Sequence, residues 1–243
     1  MPNIFLFGPV GAGKSTICAT ACLSFFESKG VAPLFNIDST EGSRLLFEWV
    51  ERLRKGQFPQ KTLEDTFLRV DAGFESLREH ARLGLSFYEA SGESLAKLSP
   101  LDPDHEECEA TLFEWLRTTD IALLVAPTDM VEVARSQLLQ MLGLLEKRGV
   151  VVPTALVFSK WDLVAGKYKS ALKFGNDKYP EVLKVLARRR FRDHSKLLTF
   201  SVGQVETRDE HNVISEVVFE AGSKELMGWI LDEVKKQGAV EEA

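Results

Sequence analysis

Positive charge is in deficit along this chain, and cysteine and long apolar runs are scarce. The 243 residues carry 30 Lys and Arg against 36 Asp and Glu, a net charge of −6. That balance removes any general electrostatic attraction to nucleic acid or to acidic membranes. The three cysteines, Cys18, Cys22 and Cys108, do not make the disulfide framework of a secreted domain. No apolar run approaches the roughly 20 residues that span a bilayer. The first strand pattern begins almost at Met1, and the expectation is that no signal peptide precedes it. No Pro/Gly/Ser-rich linker divides the sequence, and no repeat or low-complexity segment interrupts it. These absences lead to the expectation of a soluble, cytoplasmic chain in which residues 1–238 form one domain and 239–243 a frayed tail.

What is present is an alternation of two hydrophobic periods. Short apolar runs at 3–7, 31–37, 67–72, 83–88, 121–126, 151–158 and 197–201 read as strands. Between them, 15–29, 43–55, 109–117, 131–147, 179–190 and 223–236 read as helices. Leu45, Leu46, Trp49, Val50 and Leu53 recur at helical spacing and stop at Gly56. Strands alternating with helices predict an α/β fold in three layers, a mostly parallel sheet of six to seven strands covered on both faces. Cys18 and Cys22, four apart on one helix face, read as small buried thiols before a metal or redox pair.

Residues 8–15 read Gly-Pro-Val-Gly-Ala-Gly-Lys-Ser, a complete G-x-x-x-x-G-K-[ST] loop between a strand and a helix. Glycines let the backbone curl so that successive N–H groups converge on phosphate oxygens. The helix N-terminus adds partial positive charge at the same point. In this pattern Gly8, Val10, Gly11, Ala12, Gly13, Lys14, Ser15 and Thr16 cradle a nucleoside polyphosphate. Lys14 reaches the outer phosphates, and the Ser15 hydroxyl is placed for Mg²⁺.

Three shorter motifs follow strands. Ser159-Lys160-Trp161-Asp162 ends in a carboxylate that can accept both N1–H and N2–H of guanine, a donor pair that adenine lacks. The aliphatic stem of Lys160 can lie over the base. Glu89-Ala90-Ser91-Gly92 offers a carboxylate for Mg²⁺ and a glycine N–H for a γ-phosphate. Phe200-Ser201-Val202-Gly203 offers backbone N–H groups to a guanine carbonyl, with Ser201 and Val202 nearest. Each is weak alone, and their order behind the phosphate loop supports them.

Together these four motifs resemble the Ras-like GTPases of the P-loop class, and the resemblance spans essentially the whole chain. Residues 44–62, ending Gly56-Gln57-Phe58-Pro59-Gln60-Lys61-Thr62, are similar to the bacterial double-GTPase type of conflict and signalling operons. The resemblance implies GTP and GDP as ligands with Mg²⁺, and a helical insertion at about 43–62 in the switch region. It implies a switch working through a protein effector or activating partner, with a second GTPase domain or a nucleotide-dependent dimer among the candidates. It assigns Mg²⁺ contacts to Ser15, Glu89 and a switch threonine, here Thr62, with Thr66 and Thr40 as rivals. It assigns hydrolysis to Lys14, Thr62, Gly92 and the residue at Glu93.

Four departures from that pattern carry consequences. Glu89 replaces an Asp and is longer by one methylene, so the cation contacts must rearrange. Ser159 replaces an Asn and lacks the amide used for base contact and loop bracing. Glu93 stands where many relatives place a water-orienting Gln, and a carboxylate there is repelled by the γ-phosphate. Pro59 occupies the place of a catalytic Arg found in some relatives, so no arginine finger is supplied from that position. Slow unstimulated hydrolysis is the expectation, with an activating partner able to add as much as about 10⁵-fold.

Other features read as ordinary surface or core. Arg188–Arg192 is a basic helix end, the run from Asp102 to Glu109 with His105 and Cys108 a solvated loop and first helical turn, and Leu226, Trp229, Ile230 and Val234 a core stripe. Asp38 is a weak further Mg²⁺ candidate. His80, His194 and His211 have no triad-like setting. Two other functions stay open at this level: a scaffold that binds GTP without turning it over, and a P-loop nucleotide kinase or ATPase with the arginine cluster as a lid.

Overall fold

A computed structural model describes residues 2–29, 31–34, 41–60, 67–76, 82–90, 105–188, 191, 194–208, 211–216 and 221–236. Seven strands form one sheet in the order β2-β3-β4-β1-β5-β6-β7. These are β1 (Asn3–Phe7), β2 (Val31–Leu34), β3 (Phe67–Ser76), β4 (Arg82–Ala90), β5 (Ile121–Pro127), β6 (Thr154–Ser159) and β7 (Ser195–Thr199). From β4 through β7 every pairing is parallel. The β2–β3 and β3–β4 pairings are antiparallel.

Side chains alternate across this sheet with the period of two that a pleat imposes. Ile4 and Leu6 join one buried cluster, and Phe5 and Phe7 join the other. The same switch separates Ala155 and Val157 from Leu156 and Phe158. Strands buried on both faces read as continuous apolar runs, and they need helices on either side.

The first face is covered by α1 (Lys14–Lys29), α2 (Glu41–Arg54) and α7 (Ala221–Lys236). The second is covered by α3 (His105–Arg117), α4 (Val131–Arg148), α5 (Ala171–Lys178) and α6 (Pro180–Leu186). The three-layer α/β expectation holds. Cys18 and Cys22 are fully buried free thiols in the first cluster. Burial pushes the Cys22 thiol up to about 12, so both are packing groups. In α2, Leu46, Trp49, Val50 and Leu53 face inward as the spacing predicts.

Several boundaries differ from the sequence reading, each for a local reason. β6 begins at Thr154 because Pro153 has no N–H to donate, although its carbonyl accepts from Ala122 at 2.9 Å. Within the expected 179–190 helix the described helical residues are Pro180–Leu186 alone, and a further short helix, Ala171–Lys178, precedes it unanticipated. Ser170 caps α5 by accepting from the Lys173 N–H, and Pro180 opens α6, where its missing N–H costs nothing. An unanticipated antiparallel hairpin, β8 (Gln204–Arg208) and β9 (His211–Glu216), follows β7.

Candidate functional site

The carboxyl ends of β1, β4, β5 and β6 open on one cleft of about 410 Å³, the size of a small-molecule site. The phosphate loop forms one end of it. Gly11 and Gly13 stand at φ +72° and +86°, left-handed values that residues with a Cβ rarely adopt. These turns aim the loop into α1, which starts at Lys14 without an acidic residue in its first turn. Val10, Gly11, Ala12, Gly13, Lys14, Ser15 and Thr16 all line the cleft. Gly8 is not among the lining residues; its carbonyl accepts from Lys14 Nζ at 2.8 Å, beside the Pro9 carbonyl at 3.1 Å.

Lys14 is 5% exposed. Burial lowers its pKa, and the nearby Glu89 carboxylate opposes that shift without overcoming it. An arriving phosphate would favour the ammonium and oppose that shift. Ser15 Oγ lies 3.0 Å from both oxygens of Glu89, which is 3% exposed at the end of β4. A hydroxyl and a carboxylate this close are hard oxygen donors suited to Mg²⁺, which takes few protein ligands and completes its shell with phosphate and water. The pair therefore fits the cation that the motif implies. No cluster of three or more His, Cys, Asp or Glu placed for a metal occurs among the described residues.

A further part of the wall is built after β6. Lys160 sits at φ 56°, held by Thr128, whose hydroxyl donates to the Lys160 carbonyl at 2.8 Å. The Trp161 N–H donates to the Phe200 carbonyl at 3.1 Å, joining this turn to the segment after β7. Asp162 lies in a short 3₁₀ turn, Trp161–Leu163. It accepts from the Ser201 hydroxyl at 3.0 Å. Ser201 does not line the cleft, so its side chain acts on Asp162 from behind. Lys160, Asp162 and Val202 do line it. Lys160 Nζ pairs with Asp129 at 2.7 Å, a half-exposed bond of small energetic weight.

Ser159 lacks the amide, and its hydroxyl nevertheless braces the phosphate loop by donating to the Ala12 carbonyl at 2.7 Å, fully inside the protein. A shorter side chain does the bracing because the loop lies directly against the end of β6.

Thr62, Gly92 and Glu93 lie outside the described residues, as do Thr40, Thr66 and Asp38. Arg188 pairs with Glu146 at 2.9 Å on the surface. Phe58, Asp129, Leu163, Val205 and Asn212 line the cleft without having been singled out. Of these, only Phe58 carried a signal, as part of the Gly56–Thr62 segment.

No family model matches this chain, and no curated protein matches it. Among solved structures, Methanosarcina barkeri Roco2 RocCORdC bound to GDP is similar with a TM-score of 0.43 and 16% identity. The match covers 99% of this chain and 50% of that one, so the chain spans half the length of that structure.

Proposed function

We propose that this chain binds guanine nucleotides and hydrolyses GTP as a molecular switch. The observation that carries the reading is one cleft lined by both the phosphate loop and Asp162. Loop N–H groups and Lys14 take the phosphates. Asp162, oriented by Ser201, takes the paired guanine donors. A site built to satisfy that carboxylate leaves it unpaired against adenine, and discrimination of roughly 10⁴-fold is within reach.

Ser15 and Glu89 would hold Mg²⁺, which when bound neutralises charge developing on the phosphates. Lys14 adds to that neutralisation from a water-poor position, where its charge acts strongly. Thr62, Gly92 and Glu93 are proposed to complete the hydrolytic site, and Glu93 to keep the unstimulated rate low. The chain acts as one domain in which α2 is an insertion of the switch region. Hydrolysis would release the loops around Thr62 and Gly92 and alter a surface read by a protein effector or activating partner. Among the described residues no helix is long and apolar enough to cross a membrane.

The test is Mg²⁺-dependent binding of GTP, GDP, ATP and ADP to wild type and Asp162→Ala, followed by phosphate release. Strong preference for guanine in wild type and its loss in Asp162→Ala is expected. Equal binding of ATP, unaffected by Asp162→Ala, would falsify the base assignment and leave a P-loop ATPase or kinase. Stoichiometric GTP retention with no phosphate release, partner proteins included, would leave a binding scaffold.

A further inference from the structure

Two residues of the cleft wall, Val205 and Asn212, come from the β8–β9 hairpin, which belongs to none of the four motifs. Pairing sets Val205 opposite Ile214 and Thr207 opposite Asn212. Asn212 and Ile214 are two apart on β9 and therefore share a face. Ile214 is 4% exposed and roots that face in the core with α1, α2 and α7. Val205, at 39%, is among the larger exposed apolar side chains.

A backbone bond fixes the hairpin in place. The Ile214 N–H donates to the Gly56 carbonyl at 2.7 Å. Gly56 stands at φ +73°, and a Cβ there would come within 2.6 Å of the Ile214 carbonyl. Glycine is what lets the two backbones meet. Two residues further on, Phe58 lines the same cleft, and its carbonyl accepts from Arg52 Nε of α2 at 2.9 Å. The hairpin and the end of α2 are thus joined beside the cleft.

We propose that the β8–β9 hairpin is a nucleoside-contacting wall, with Val205 packing on the nucleoside and Asn212 hydrogen-bonding it, registered by the Gly56–Ile214 bond. The proposal rests on the guanine-nucleotide reading above. The hairpin follows directly from Val202, whose neighbour Ser201 bonds Asp162 at 3.0 Å, whereas residues 10–16 and Glu89 are the lining residues proposed for the phosphates and the cation. Its contacts therefore fall on the base and sugar. An amide can both donate to and accept from such a ligand, and a branched aliphatic offers it dry surface.

The experiment measures GDP affinity and dissociation rate for wild type, Val205→Ala, Asn212→Ala and Asp162→Ala, with melting of each nucleotide-free protein. Val205→Ala and Asn212→Ala should each weaken GDP about 3- to 10-fold, through faster dissociation. Val205→Ala should leave nucleotide-free melting at the wild-type value, because that side chain is exposed, and the Asn212→Ala dissociation rate is read beside that variant's own nucleotide-free melting. Unchanged affinity and dissociation in both, with wild type binding GDP and Asp162→Ala impaired, overturns the hairpin assignment and leaves the guanine reading standing. A wild type that binds no GDP overturns both.

Discussion

Ser159→Ala tests whether one hydroxyl holds the phosphate loop. The substitution removes a single atom from a site 1% exposed and deletes the 2.7 Å bond to the Ala12 carbonyl. Ala12 is itself fully buried, so water cannot replace the lost donor. An unsatisfied buried carbonyl costs about 1–3 kcal/mol. In a chain of this size each kcal/mol moves the melting temperature by about 2–4 °C, so a middle value of about 2 kcal/mol predicts a drop of about 4–8 °C without nucleotide. A second effect falls on binding. If the loop is freed by roughly one residue, reordering it costs about 1–2 kcal/mol, which weakens GDP about 5- to 30-fold. The assay is thermal melting with and without GDP, beside GDP titration. Thr119→Ala is the control: its buried hydroxyl donates to Trp115 at 2.8 Å, in the α3–β5 connection. It should lower melting and leave GDP affinity alone. If Ser159→Ala melts within about 1 °C of wild type and binds GDP normally, the bracing argument is wrong.

Three further outcomes are expected. Burial holds the Lys14 pKa below its ordinary value, and bound phosphate raises it, so the complex keeps a proton that the free protein gives up. GDP affinity should be full below the free-protein pKa and fall as pH rises through it, and Lys14→Arg should flatten that alkaline slope; a flat wild-type profile refutes the linkage. Glu89→Gln keeps the side-chain length without the charge. The gain in GDP affinity conferred by Mg²⁺ should shrink about tenfold or more, read by titration with Mg²⁺ and with a chelator, and an unchanged gain removes Glu89 from the cation site. Tyr179→Phe deletes a buried bond from its hydroxyl to the Pro127 carbonyl at 3.0 Å. Denaturant unfolding should show a loss of about 1–2 kcal/mol with no change in GDP affinity, and a change in affinity would tie α6 to the cleft.

The buried strands were legible because two-sided burial writes itself as runs such as Ile121 to Ala126, and α2 because Gly56 stops it. The phosphate loop was legible because its conformation admits few residue types. The β8–β9 hairpin was not: the face that carries Val205 and Ile214 also carries Thr207 and Asn212, so no apolar run marks it, and only Ile214 among its described side chains is buried. The bracing by Ser159 was not legible because residue type alone suggests what a side chain lacks, while its bond to Ala12 depends on a partner 147 residues away in sequence. Asp129 and Leu163 reach the cleft by position in the fold, without a motif to mark them.

Lys160 is the one non-glycine residue at positive φ among the described residues. Holding it there costs of order 1–3 kcal/mol, and glycine or asparagine would relieve most of that strain. Two selections on a library randomised at this codon should therefore pull apart. Survival of heating alone should enrich glycine and asparagine. Retention of nucleotide on a column should return lysine, because only its long stem can cover a bound base. The same position would then report, in one sequencing run, where robustness and ligand capture demand different amino acids.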